Sequence, residues 1–237
     1  IGGQALRDEI KKARDIGRLS IGMIHTKADP YWPDCFTIMS CRNQAYVGRA
    51  VGDLARLLQA DPLDVMFDIL LEDPETLWAQ TVDKRLVSTI VPVFLRHPLA
   101  MPCTDVMALP LDLAGASTGL LSGSAYGTLP PGIAYGLYPH LFGEYVREKR
   151  ALGLEHAIRS ATSLPAQLLG LKDRGVLRPG AYADVVLFDI RTIRMVGDQR
   201  NPAQRPQGIH TVLVNGQIVY HGQTHTGARP GKVLRRA

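Results

Sequence analysis

The chain has 237 residues, 46% hydrophobic and 21% charged, with a net charge of +5 and a pI near 9.2. That length suits one large domain or two ordinary ones with a sizeable core. No run of about 18 uninterrupted apolar residues is present, which argues against a transmembrane helix. The basic residues are dispersed. Their densest groups, Lys11–Arg14, Arg147–Arg150 and Arg235–Arg236, lack the interleaved aromatics of a nucleic-acid surface, and the first two read as solvated helix faces.

Residues 4–18 are amphipathic and charged, which predicts a helix. The start has no signal-peptide core, and it opens on Ile1 rather than Met, so further sequence is expected before it. "CFTIMSC" (Cys35–Cys41) is rich in β-formers and reads as a buried strand. "RAVGDLARLLQ" (Arg49–Gln59) has helical spacing and stops at Asp61-Pro62. "PLDVMFDILLED" (Pro62–Asp73) puts Pro at a helix start. "DKRLVSTIVPVFLRH" (Asp83–His97) is a helix interrupted by Pro92, and the apolar Leu99–Asp105 is the next expected strand. Strands and helices at this spacing predict β/α units around a parallel sheet or barrel.

Residues 106–139 contain no Lys, Arg or His and are dense in Gly, Ser and Pro, the composition of a functional or disordered loop. Two helical stretches follow, "LYPHLFGEYVREKR" and "GLEHAIRSATSLPAQLLGL", the second with a boundary or kink at Pro165. From about Gly170 the pattern alternates: "GAYADVVLFDI", "GIHTVLVNGQIVYHG" and "GKVLRR" read as β-structure, and Asn215-Gly216 is a two-residue hairpin signal. The expected division is residues 1–169 and an all-β part, residues 170–237.

Cys35, Cys41 and Cys103 are few and widely spaced, which suits a reduced, cytoplasmic protein and three buried thiols. Gly115–Gly119 matches G-x-S-x-G, and chain order permits a Ser117, Asp184, His210 triad, but Pro110 stands where the preceding strand should be. His221 and His225 have metal spacing only on a helix, which Gly222 disfavours. His25, His97, His140, His156 and His210 stand alone and read as capping or surface residues. Asp105 has the best position, at the end of an apolar strand where a long loop begins. Position alone allows a catalytic carboxylate at the mouth of a parallel barrel or an Asp that caps the next turn.

Three stretches carry a resemblance: Leu70–Asp105, Tyr135–Asp189 with "LRPGAYADVVLFD", and Gly208–Arg236 with "VLVNGQIV" and "TGARPGKVLRR". Together they resemble the C-terminal part of the N-acyl-D-amino-acid deacylases (D-aminoacylases) of the metal-dependent amidohydrolase superfamily. "PGxxAD" marks the superfamily loosely; Tyr145–Glu148 and the last twelve residues point to the deacylase branch. The resemblance implies an α/β fold, the C-terminal part of a (β/α)8 TIM barrel with a small β-sandwich tail, in which Cys35–Cys41 and Leu99–Asp105 are the seventh and eighth barrel strands. It implies one or two zinc ions and a small-molecule amide substrate, with Asp105 as the catalytic proton shuttle and a candidate metal ligand. The other ligands then belong to a missing N-terminal segment, a partner chain or another copy. Val106 stands where the family usually has Gly, and residues 131–134 lack the family's His-Pro-Arg triplet, which favours a less charged amide than an N-acyl-D-amino acid. Two further readings remain: a non-catalytic, truncated subunit that needs a partner, and a serine hydrolase built on Ser117. No nucleic-acid or membrane partner is expected.

Overall fold

A computed structural model describes residues 3–21, 24–80, 84–104, 111, 132–198 and 201–234. They fall into two compact units, one of residues up to 87 and one of residues from 88 onward.

The first unit opens with α1 (Gln4–Asp15) and two short strands, β1 (Ser20–Ile21) and β2 (Ile24–His25). Its centre is β3 (Phe36–Ser40), followed by α2 (Val51–Leu58), α3 (Pro62–Glu72) and β4 (Leu77–Gln80). Asp61 caps α3 by accepting the Leu63 N–H at 2.8 Å, and Pro62 occupies the first turn, where its missing N–H costs nothing. Gln59, at φ 51°, ends α2 in the left-handed conformation, and the Ala60 N–H closes back on the Ala55 carbonyl. β3 turns Phe36 and Ile38 inward, and Ile38, Val51 and Leu54 are fully buried in one core with Leu63 and Trp78.

Helix α1 buries none of its residues completely and docks largely by charge. Arg7, Lys11 and Arg14 lie on one face at helical spacing. They meet Asp68, Asp64 and Asp61 of α3 and its cap at 2.7, 2.5 and 2.6 Å. These pairs lie near the surface, two of them half-buried, where salt still screens them in part. Raising salt from about 0.05 M to about 1 M is therefore expected to speed amide exchange in α1 while β3 keeps its protection. Equal protection of α1 at both salt levels would show that its apolar contacts suffice.

The second unit contains most of α4 (Lys84–Leu95), α5 (Ile133–His140), a π-helix over Leu141–Glu148, α6 (Leu154–Ala161) and α7 (Ser163–Leu168). A four-stranded antiparallel meander completes it: β5 (Val185–Phe188), β6 (Ile209–Val214), β7 (Gln217–His221) and β8 (Thr224–His225), in that order across the sheet. Asn215 (φ 48°) and Gly216 (φ 80°) make the expected tight turn between β6 and β7, a pair of left-handed residues that matches the strand twist.

The long helix expected at residues 137–150 is broken in character. Gly136 (φ −143°, ψ 26°) kinks α5, so Pro139 falls in the first turn after the kink. The chain then widens to π geometry, with the Lys149 N–H bonded to the Glu144 carbonyl five residues back at 2.8 Å. The π-helix packs on the turn after β5. A Cβ on Gly143 would lie 2.5 Å from the Ile193 carbonyl oxygen, so only glycine fits that approach. Arg147 donates to the carbonyls of Ile190 at 3.0 Å and Ile193 at 2.6 Å. Phe142 stacks on Phe188, with centroids 5.1 Å apart.

That turn is held from within by Asp189, which accepts the Arg191 guanidinium and backbone N–H. The Arg191 guanidinium, then its backbone N–H, hold the Asp189 carboxyl at about 2, below its ordinary 3.8. A carboxyl lowered in the folded state stabilises above its unfolded pKa and loses that contribution as pH falls through its folded one. The melting-temperature gap between wild type and Asp189→Asn is thus expected to be full above about pH 4 and to close toward pH 2. A gap that stays constant over that window would remove the ion pair from the account.

Four expectations are corrected. All described strand pairs are antiparallel, β3 with β4 included, so no parallel sheet forms among the described residues. Residues 99–104 are not a strand: Pro98 and Pro102 offer no N–H, and no described strand lies alongside to complete a ladder. Residues 231–234 run outside the sheet, and the segment before them is tied to the hairpin by the Asn215 amide on the Pro230 carbonyl at 2.6 Å. Pro92 also does not interrupt α4, because Val91 and Leu95 on either side of it pack on the second core.

Candidate functional site

Asp105 and Ser117 lie outside the described residues, as does Val106. The approach to Asp105 is described, and side chains from other elements hold it rather than a sheet. After α4 the chain turns at His97, whose Nδ1 accepts the Leu99 N–H at 3.2 Å while its carbonyl accepts the Ala100 N–H at 2.9 Å. This is the capping role expected of it. Arg96 donates to the Ala151 carbonyl at 2.6 Å. Arg159, on α6, donates to the Pro98 carbonyl at 2.7 Å. Tyr138 touches the Pro102 carbonyl at 3.5 Å, the outer limit of a hydrogen bond. Burial, with a smaller contribution from Cys103, raises the Tyr138 phenol above its ordinary value, so it remains a neutral donor at neutral pH.

Arg96, Arg159 and Tyr138 were not legible as site residues. An Arg within "AIRSAT" reads as a solvated helix residue, and nothing in its spacing shows that it reaches a carbonyl 61 positions away.

The remaining candidates separate. Cys35 and Cys41 are buried, and burial is the main cause that raises the Cys41 thiol. Cys103 is exposed, against expectation, because its segment lies in no sheet. His140 is largely buried against Tyr145, with ring centroids 5.4 Å apart, rather than on the surface. Burial lowers its pKa, Lys149 adds to that, and Glu144 and Glu148 oppose it. His25 takes the capping role, accepting the Ala28 N–H at 3.1 Å.

The Asp–His half of the serine triad is not assembled. Asp184 is engaged by Arg174 and by the Asn215 N–H at 2.8 Å. Its neighbour Val185 pairs with Leu213, while His210 sits three residues further along β6, about 10 Å away by strand rise. His221 and His225 lie on strands about a turn, not on a helix. The first contacts the Thr211 hydroxyl at 3.0 Å, and the second accepts the Gly227 N–H at 2.9 Å. Among the described residues no three His, Cys, Asp or Glu side chains converge as a metal requires. No described helix is long and apolar enough to cross a membrane.

Known proteins supply the remaining context. The sequence profile of the amidohydrolase family matches residues 43–220. N-acyl-D-aspartate deacylase of Alcaligenes xylosoxydans xylosoxydans is 43% identical over 100 residues, which are 42% of this chain and 20% of that protein. The N-acyl-D-glutamate deacylase of Bordetella bronchiseptica was solved with zinc and a phosphonate mimic of the reaction's tetrahedral intermediate. It superposes with a TM-score of 0.56 at 30% identity, over 86% of this chain and 38% of its own. A D-aminoacylase structure with a binuclear metal centre gives 0.58 at 27%, over 85% and 38%. The chain thus spans about a fifth of that curated relative and under two-fifths of the solved ones. With most of its length matched by the family profile and both solved neighbours sharing its mixed helix and strand architecture, the chain belongs to the amidohydrolase family.

Proposed function

We propose that the chain is the C-terminal portion of a zinc-dependent, cytoplasmic amidohydrolase that cleaves the amide of an N-acyl-D-amino acid or of a related, less charged amide. In this reading residues 1–169 belong to the C-terminal portion of the barrel and its flanking helices, and residues 170–237 contribute the small β-domain. Asp105 takes a proton from the attacking water and delivers it to the leaving amine, a base that becomes an acid within one turnover. The observation that carries the reading is the 43% identity to an N-acyl-D-aspartate deacylase. The bare 106–139 segment, with no cation to meet a substrate carboxylate, supports the less charged alternative.

The described residues do not fit a metal by themselves. The reading therefore places one or two zinc ions on ligands supplied by an upstream segment, a partner chain or another copy. The test is to purify the complete protein, measure its bound zinc, and compare hydrolysis of N-acetyl-D-amino acids with that of their uncharged amides. Zinc-dependent turnover, higher on the uncharged series, is expected. A complete protein with neither zinc nor turnover would overturn the reading in favour of a non-catalytic subunit.

A further inference from the structure

We propose that Asn215 is a deamidation site that the fold holds in check, and that its conversion to an acid releases the C-terminal tail from the β6–β7 turn.

Asn followed by Gly is open to this chemistry because no side chain shields the next amide nitrogen. The Gly216 nitrogen gives up its proton and bonds to the Asn215 side-chain carbonyl carbon, and ammonia leaves. Water then opens the cyclic succinimide to aspartate or isoaspartate, so water is the one added reactant. The turn itself calls for this pair, since both residues are left-handed, at φ 48° and 80°.

The fold holds all three polar groups that the reaction moves. The Gly216 N–H donates to the Ala183 carbonyl at 2.9 Å. The Asn215 Oδ1 accepts from Arg174 at 2.6 Å, and its Nδ2 donates to the Pro230 carbonyl at 2.6 Å. A guanidinium only donates and a carbonyl only accepts, which fixes the orientation of the amide. Arg174 is a firm anchor. Its side chain is 10% exposed, paired with Asp184 and laid 4.2 Å from the Tyr182 ring centroid. Two effects oppose each other. The guanidinium polarises the amide carbonyl and favours attack, yet the amide must leave both Arg174 and Pro230 to swing toward Gly216. Restraint prevails, because polarisation helps only once the nitrogen is within reach.

The product lacks the donor. Aspartate at this position sets a carboxylate oxygen against the Pro230 carbonyl oxygen, two acceptors with no proton between them. It also shares Arg174 with Asp184. Isoaspartate lengthens the main chain inside a two-residue turn. Among the described residues the Asn215 bond is the hydrogen bond that reaches the chain beyond Ala228. The Lys232 ammonium, 5.9 Å from the Tyr182 centroid, is a looser hold at the outer limit of a cation–π contact.

The test ages the full chain at mildly alkaline pH, folded and in denaturing urea, and follows the mass gain and isoaspartate content of the peptide carrying Asn215. Deamidation is expected to be at least about tenfold slower in the folded chain. Arg174→Ala, or the milder Arg174→Lys where the first melts poorly, should lose much of that protection. Brief trypsin treatment reads the tail at the Lys232–Val233 bond, which should be cut severalfold faster in Asn215→Asp than in wild type. Aged wild type gives the same answer should that variant fold poorly: the chains cut first should be enriched in the converted turn. Equal deamidation in folded and unfolded wild type, or full protection in both Arg174 variants, would overturn the restraint. Equal cleavage of converted and unconverted chains would overturn the release of the tail.

Discussion

An Asp105→Asn variant of the complete protein is expected to lose between about two and four orders of magnitude in kcat while keeping its metal and its melting temperature. Asn has the shape of Asp and one of its oxygen acceptors, but it cannot take up a proton at neutral pH. The substitution therefore removes the proton transfer and little else. Under the proposed role the carboxylate acts in the transition state, so kcat and kcat/KM should fall together and KM should move little. The leaving group gives a second check. A nitroanilide, whose amine departs with less need of a proton, should lose less than an alkyl amide. Undiminished turnover with metal retained would remove Asp105 from the mechanism. Loss of metal in the variant would move it among the ligands instead.

The local physics of this fold was legible, and its tertiary physics only in part. The Asp61-Pro62 start of α3 and the Asn215-Gly216 turn follow from backbone constraints that one or two residues impose by themselves. The inward face of β3 follows because Phe36 and Ile38 alternate with a period of two. Residues 99–104 were misread because a short apolar run is a strand only when another strand lies beside it, and pairing is not a property of the run. Leu77–Gln80 shows the converse: too short to carry a pattern, it becomes a strand because β3 is there to receive it. The π-helix escaped notice for the same reason. Its sequence has ordinary helical periodicity, and the widening accompanies contacts of Gly143 and Arg147 with a turn fifty residues away. Those contacts also recast the Tyr145–Glu148 segment that marks the deacylase resemblance. In this fold its arginine secures the β5–β6 connection to the π-helix.

That clasp makes Gly143→Ala a costly single methyl in the second unit. Two effects oppose each other. Alanine favours a helix over glycine by about 1 kcal/mol, which would stabilise an ordinary exposed position. Here the added Cβ would meet the Ile193 carbonyl oxygen at 2.5 Å and the Arg194 Cα at 3.3 Å, both of them backbone. Neither can swing aside as a side chain could, so the whole turn must retreat. Overpacking of this kind costs about 1–3 kcal/mol. Retreat also stretches the Arg147 bonds to Ile190 and Ile193, each a charge-assisted bond worth about 1.5–3 kcal/mol. The clash and the lost bonds outweigh the propensity gain, for a net loss of about 2–4 kcal/mol. Thermal or denaturant unfolding would measure it. Because both effects act through one displacement, Gly143→Ala and Arg147→Ala should combine to less than their sum. Strict additivity in that cycle would mean that the methyl does not move the turn. A Gly143→Ala protein as stable as wild type would mean that the turn yields without cost, and that Arg147 alone sustains the clasp.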